Sequence, residues 1–276
     1  MPMAIRFVMT LLCWLALIGA ASAGEAMVYL YPSPDNLHED RHLYHWTVLE
    51  QALERTRATW GDYTLAAAPA MSETRQTHEL SRSGGRVTVA WLMATPARTL
   101  ALRAVRADID HGLSGYRLLL VQTSRQSEFG RVRALTDLRA FKAGVAQGSA
   151  DAELLDAARI AVTPGTDESG LRAMLSHGRF DMLPRAVDEL GTRSPAPDLA
   201  IEPRLLLRLN QPTWYWFAKN EEGERLAQRV EEGLRMLSSD GALERLFDRF
   251  QRPILRWLAP ARRQLIEVGA ETGPGP

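Results

Sequence analysis

The groups in this sequence best suited to chemistry are arginine side chains and backbone amides at the ends of short strands. Arg185 follows Pro184 at the end of a predicted strand, and open α/β sheets collect ligands at the ends of their parallel strands. A guanidinium there holds an anion through paired N–H donors. A salt bridge to Asp188 or Glu189 is the competing use of the same charge. Gln147, Gly148 and Ser149 lie where a predicted strand meets a predicted helix. Free amides at such a junction receive anions, while the Ser149 hydroxyl is equally suited to N-capping the helix. Trp91 stands in an apolar strand, either as the aromatic floor of a pocket or as core. His38, His42 and His45 repeat at helical spacing. A metal would need deprotonated ligands in closed geometry, so helix entry and a solvated face are the simpler reading. No nucleophile elbow, H-E-x-x-H, P-loop or dinucleotide fingerprint occurs. These patterns point to binding, with no enzyme activity and no cofactor.

The elements that must position these groups alternate in type. Residues 27–31 (MVYLY) predict a first strand and residues 38–59 a helix, with Leu43, Trp46, Leu49, Leu53 and Thr56 spaced by three and four. Residues 63–67 predict a strand, 71–81 a helix and 87–92 (VTVAWL) a third strand. This βαβαβ order implies a parallel or mixed α/β sheet. After Gly112 and Gly115 the pattern restarts on a smaller scale: strands at 116–122, 143–146, 160–162 and 180–183, and helices at 135–140, 149–158 and 168–177. Thr166 or Asp167 can cap the last of these. Residues 201–209 and 213–218 again read as strands. The chain then turns helical, with an apolar stripe of Leu226, Val230, Leu234 and Leu237 and a last helix ending at Phe250.

The N-terminus reads as an export signal. Arg6 precedes an apolar run over 7–18, and Ala21-Ser22-Ala23 has the form of a signal peptidase site. The run is shorter than the roughly 20 residues that cross a bilayer. Residues 1–23 are thus expected to be removed, leaving a periplasmic protein that starts at Gly24 and lacks the single cysteine, Cys13. Lys plus Arg and Asp plus Glu both number 33. That balance gives no footprint for nucleic acid or an anionic membrane surface.

Taken in order, four stretches resemble the bacterial extracellular solute-binding proteins of family 3. Residues 84–98 (GGRVTVAWLMATPAR) are similar to that family's Gly-Lys-x-Asp strand followed by Thr-x-x-Arg. Residues 135–148 (LTDLRAFKAGVAQG) resemble its Asp-Leu-x-Gly-x-x-Val-Gly-Val-x-x-Gly. Gly178-Arg179-Phe180-Asp181 fits its Gly-Arg-x-Asp, and residues 226–247 its closing pair of helices about Asp-Gly. The resemblance implies an α/β, two-lobed type II periplasmic-binding-protein-like fold with two hinge crossings, near 112–116 and 204–213. Lobe 1 would comprise residues 24–115 and 207–267, lobe 2 residues 116–206, and 268–276 a disordered tail. The ligand would sit in the cleft, and the lobes would close on it by a hinge.

The resemblance further implies that Arg98 holds a ligand carboxylate, with Thr95 as its companion. Arg98→Ala would then weaken binding while leaving the melting temperature of the free protein little changed. If Arg185 also faces the cleft, the ligand is anionic, since two unpaired guanidiniums repel. The sequence departs from the family at Thr88, where Asp is usual, at Trp91 and Met93, and at Ala186, where amino-acid binders place the Asp that holds the α-ammonium. The expected function is a monomeric periplasmic protein that captures a small anionic or amino-acid-like ligand for an ABC-type importer and docks on its membrane permease. Two alternatives stay open: a sensor or accessory module of the same fold that signals to a membrane partner, and a degenerate binding fold that holds no small molecule.

Overall fold

The computed structural model describes residues 26–33, 43–190 and 196–269. In chain order its elements are β1 (Met27–Pro32), α1 (Leu43–Arg55), α2 (Arg57–Trp60), β2 (Tyr63–Ala68), α3 (Glu73–Leu80), β3 (Ala90–Met93), α4 (Pro96–Ala101), β4 (Leu102–Val105), β5 (Tyr116–Gln122), α5 (Leu135–Leu138), β6 (Ala143–Ala146), α6 (Ala150–Ala157), β7 (Val162–Gly165), α7 (Glu168–Ser176), β8 (Met182–Ala186), α8 (Val187–Leu190), β9 (Leu199–Ile201), β10 (Leu205–Leu209), β11 (Thr213–Ala218), α9 (Glu221–Ser239), α10 (Ala242–Phe250), α11 (Arg252–Leu258) and β12 (Gln264–Val268). The expected export signal lies outside the described residues, as do the start of the first predicted helix and residues 270–276 of the tail.

The first lobe is built on two short ladders. β1 and β2 pair in parallel, and β11 runs antiparallel between β3 and β4. The amides of Thr88 and Val89, just ahead of β3, both donate to the Leu30 carbonyl and join the two ladders. Thr88 adds its hydroxyl, which accepts from the Leu30 amide and donates to the Val28 carbonyl at 2.9 Å each. Thr88, one of the departures from the resembled family, thus stitches β1 to the run into β3. Side chains on a strand alternate between faces. Tyr215 and Phe217 accordingly join a core with Tyr29, Leu49, Leu53 and Val230, while Trp216 joins Leu80, Ala90, Leu92 and Leu102 on the other face. The predicted helix over 38–59 breaks at Thr56, whose hydroxyl turns back onto the carbonyls of Ala52 and Leu53.

The second lobe carries a seven-stranded mixed sheet in the order β12-β10-β5-β8-β6-β7, with β9 also on β5. Residues 118–121 of β5 are buried on both faces. That explains why β5 reads as an unbroken apolar run rather than an alternating one. Gly144 in β6 is required by packing, because a Cβ there would lie 2.1 Å from Phe180 Cζ.

The division expected from the sequence differs from this arrangement at its C-terminal end. All of β10 lies in the seven-stranded sheet, and β12 pairs with it in parallel from Leu205–Gln264 to Leu209–Val268. Leu258 of α11 is buried among Leu113, Leu118, Val187, Leu190 and Leu206. After α10 the chain therefore crosses a third time, and α11 and β12 belong with the second lobe rather than the first. The physical reason is burial. Ile266 and Val268 are buried in the apolar cluster of the second lobe with Leu205, Leu207 and Leu209, and local periodicity does not say which sheet a strand will join. Val268, assigned from sequence to a disordered tail, is an ordered strand residue.

Candidate functional site

Helix α4 begins at Thr95, whose hydroxyl accepts the Arg98 amide at 3.2 Å, with Pro96 next in the first turn. Thr95 therefore acts as a cap. The short helix turns the Arg98 side chain inward, where the residue is 4% exposed. Its guanidinium donates to the Met93 carbonyl at 2.7 Å, to Thr77 Oγ1 at 3.2 Å and to Glu73 Oε2 at 2.7 Å.

Glu73 is the first residue of α3, after the N-cap Ser72. The oxygen that meets Arg98 also lies 3.5 Å from the Ala150 amide, at the start of α6 in the other lobe. Beside it, the Thr74 hydroxyl donates to the Gly148 carbonyl at 3.2 Å. Gly148 has φ +68, and a Cβ on it would lie 2.2 Å from Thr74 Oγ1. Only glycine fits both the turn and the approach. Met93, the last residue of β3, is buried in the apolar cluster of the second lobe with Val145 and Leu209. The lobes thus meet along Glu73, Thr74 and Met93 on one side and residues 145–150 on the other. At the centre, a buried guanidinium and a helix-start amide from opposite lobes converge on one carboxylate.

Of the residues singled out in the sequence, Arg98, Thr95 and Ser149 come together here. Ser149 caps α6 by accepting the Ala152 amide at 3.3 Å. Gln147 is exposed, and its amide is committed to the Gly165 carbonyl. The Ser149 amide is committed to Ala146, so Ala150 supplies the amide that faces Glu73. Two further residues singled out in the sequence have partners of their own. Arg185 pairs with Glu168 of α7 at 2.8 Å, because β8 lies on the sheet beside that helix. Trp91 packs on the first-lobe core, against His45 with ring centroids 5.7 Å apart and Tyr215 at 4.8 Å. The alternation of β3 turns it to the α1 face. Burial pushes the Tyr215 phenol far above its ordinary range, so it stays a neutral donor to the His45 carbonyl.

His38 and His42 lie outside the described residues. His45 is buried against Trp46 and Trp91, and no cluster of three metal-ligating side chains occurs among the described residues. Glu73 and Thr74 were not legible as site residues. An acid in the first turn of a helix is explained by the helix dipole alone, and nothing local ties it to Arg98.

Two cavities lie elsewhere. One, of about 720 Å³, runs between β4 and α9 and is lined by Arg103, Arg106, Glu224 and Arg235. The other, of about 430 Å³, sits at the crossings between Asp110, Ser114, Gln211 and Trp214.

No family model and no curated protein sequence matches the chain. Solved structures do. An amino acid ABC transporter substrate-binding protein from Streptococcus pneumoniae, bound to L-arginine, is 15% identical with a TM-score of 0.58, over 82% of this chain and 93% of that one. The GluR0 ligand-binding core from Nostoc punctiforme, in complex with L-glutamate, is 13% identical with a TM-score of 0.58, over 82% and 100%. An ancestral amino acid-binding protein, a precursor of cyclohexadienyl dehydratase, is 12% identical with a TM-score of 0.57, over 81% and 95%. The chain therefore has the two-lobed type II fold of the periplasmic amino-acid-binding proteins. No helix among the described residues is long and apolar enough to cross a membrane.

Proposed function

We propose that this chain is an exported solute-binding protein that captures a small, acid-bearing, amino-acid-like ligand between its lobes and delivers it to an ABC-type importer. One observation carries the reading: Arg98 and the start of α6, from opposite lobes, already hold a carboxylate between them. A ligand acid placed there would be gripped by both lobes at once, which couples capture to closure. The fold supports this reading, because similar structures hold L-arginine or L-glutamate. Export through removal of residues 1–23 accounts for the N-terminal pattern. Binding without catalysis accounts for an arginine and a helix-start amide between the lobes rather than a nucleophile and base.

The test is mass spectrometry of small molecules released from protein purified out of periplasmic extract, followed by calorimetric titration of what is recovered. N-terminal sequencing of the same material should read from Gly24. A second reading, a lobe pair that signals or docks through protein contact alone, draws on Glu73 being the acid in the seat. Recovery of no small molecule, with a membrane protein co-purifying, would favour that reading.

A further inference from the structure

We propose that Glu73 is the specificity-determining residue of the cleft: an internal carboxylate that holds the ligand's acid position, closes the lobes without ligand, and yields only to an acid that displaces it. The inference rests on the cleft being the ligand site.

The two partners are unequal in a way that points to exchange. The Arg98 side chain is 5% exposed, that of Glu73 36%. Arg98 is fixed by two further bonds, to the Met93 carbonyl and Thr77 Oγ1, that do not involve the acid. Glu73 has a solvent-facing flank and is held at its carboxylate by Arg98 and the Ala150 amide. Rotating the Glu73 side chain outward would leave the guanidinium in place, preset for another carboxylate. Its neighbour Thr74 bonds Gly148 across the cleft, so the same turn of α3 carries both the acid and a closing contact.

The consequence is competition within one molecule. A ligand acid binds only in the fraction of molecules whose seat Glu73 has left, and its apparent affinity falls by that fraction. With Glu73 one-third exposed, solvent screening sets the preference for the Glu73-filled seat at roughly two- to fivefold. Neutral solutes gain nothing from displacing it, whereas a ligand offering a carboxylate and further contacts does. The lobes are expected to be largely closed in the empty protein.

The experiment uses the full mature chain with acetate as the probe, because acetate supplies the atoms that Glu73→Ala removes beyond Cβ. Glu73→Ala should scatter X-rays as a more open particle than wild type and melt earlier. Acetate at tens of millimolar should reclose it and raise its melting temperature, with chloride at equal ionic strength as the control. Wild type should not respond. Glu73→Gln keeps the volume without the charge and should lose about two- to fivefold in hydrogen-exchange protection at residues 148–150. It decides the matter if the alanine variant does not fold. Unchanged scattering and no acetate response in Glu73→Ala, or unchanged protection in Glu73→Gln, would overturn the proposal. Titration of Glu73→Ala with L-arginine and L-glutamate separates the two readings. An acetate response without amino-acid binding would leave Glu73 as the internal occupant and remove the amino-acid-like ligand.

Discussion

Replacing Arg98 by alanine removes three donated bonds at once, to Met93 O, Thr77 Oγ1 and Glu73 Oε2. The first two acceptors are neutral and sit against a residue only 4% exposed. The third bond is ionic, but Glu73 is one-third exposed, so solvent screening holds its share to about 1 kcal/mol or less. Counting about 1 kcal/mol for each neutral bond gives a loss of roughly 2–3 kcal/mol. For a chain of this size that corresponds to a fall of about 4–12 °C in melting temperature. Resemblance alone led to the opposite expectation, a free protein that melts unchanged; the burial of the guanidinium reverses it. Arg98→Lys should recover only part, since one ammonium cannot reach three acceptors spread about a planar fork. The assay is thermal and urea unfolding of Arg98→Ala, Glu73→Ala and the double variant. The single losses should exceed the loss in the double variant by about 0.5–1 kcal/mol. Strict additivity, or a melting temperature in Arg98→Ala equal to wild type, would refute the reasoning that the pair closes the cleft.

Three further outcomes follow from the packing and the charges. Gly144→Ala drives a methyl into the Phe180 ring, which is 1% exposed, and should cost about 1–3 kcal/mol in urea unfolding; a neutral result would mean that Phe180 does not lie against β6 as described. Leu258→Ala opens a cavity beneath α11, where the side chain is fully buried, and should cost about 2–5 kcal/mol. A loss below about 0.5 kcal/mol would show that α11 is a surface appendage. Several carboxylates are held below their ordinary values. The Arg86 amide lowers Glu79, helped by Arg75 and Arg82. The amides of Arg133 and Ala134 lower Asp137, and Ser169 and the Gly170 amide lower Asp167. Acids depressed in the folded state add stability that is present above the ordinary values of 4.5 for Glu and 3.8 for Asp and is lost as pH falls through the lowered ones. Stability should therefore hold from neutral pH to about 5 and fall below it, and Glu79→Gln should flatten that fall.

Most elements were legible because their patterns are local. The unbroken apolar run of β5, the three-and-four spacing in α9 and the cap at Asp167, which accepts the Gly170 amide at 2.8 Å, depend on neighbours within a few residues. The chain order of strands and helices, with the short motifs at residues 84–98 and 135–148, determined the class of fold. Other features required the folded chain. Trp91 was open between core and cleft until the alternation of β3 turned it toward His45. Arg185 met Glu168, 17 residues before it in sequence. Strand β12 joined β10, and Ile266 and Val268 entered the apolar cluster that holds Leu205, Leu207 and Leu209. Glu73 reads from sequence as an ordinary first-turn acid. Its meeting with Arg98, 25 residues on, and with Ala150, 77 residues on, depends on two helix starts from different lobes facing across the cleft. Periodicity fixes which side of an element is buried, but which buried sides and helix ends meet is settled by long-range packing, on which local spacing carries no information.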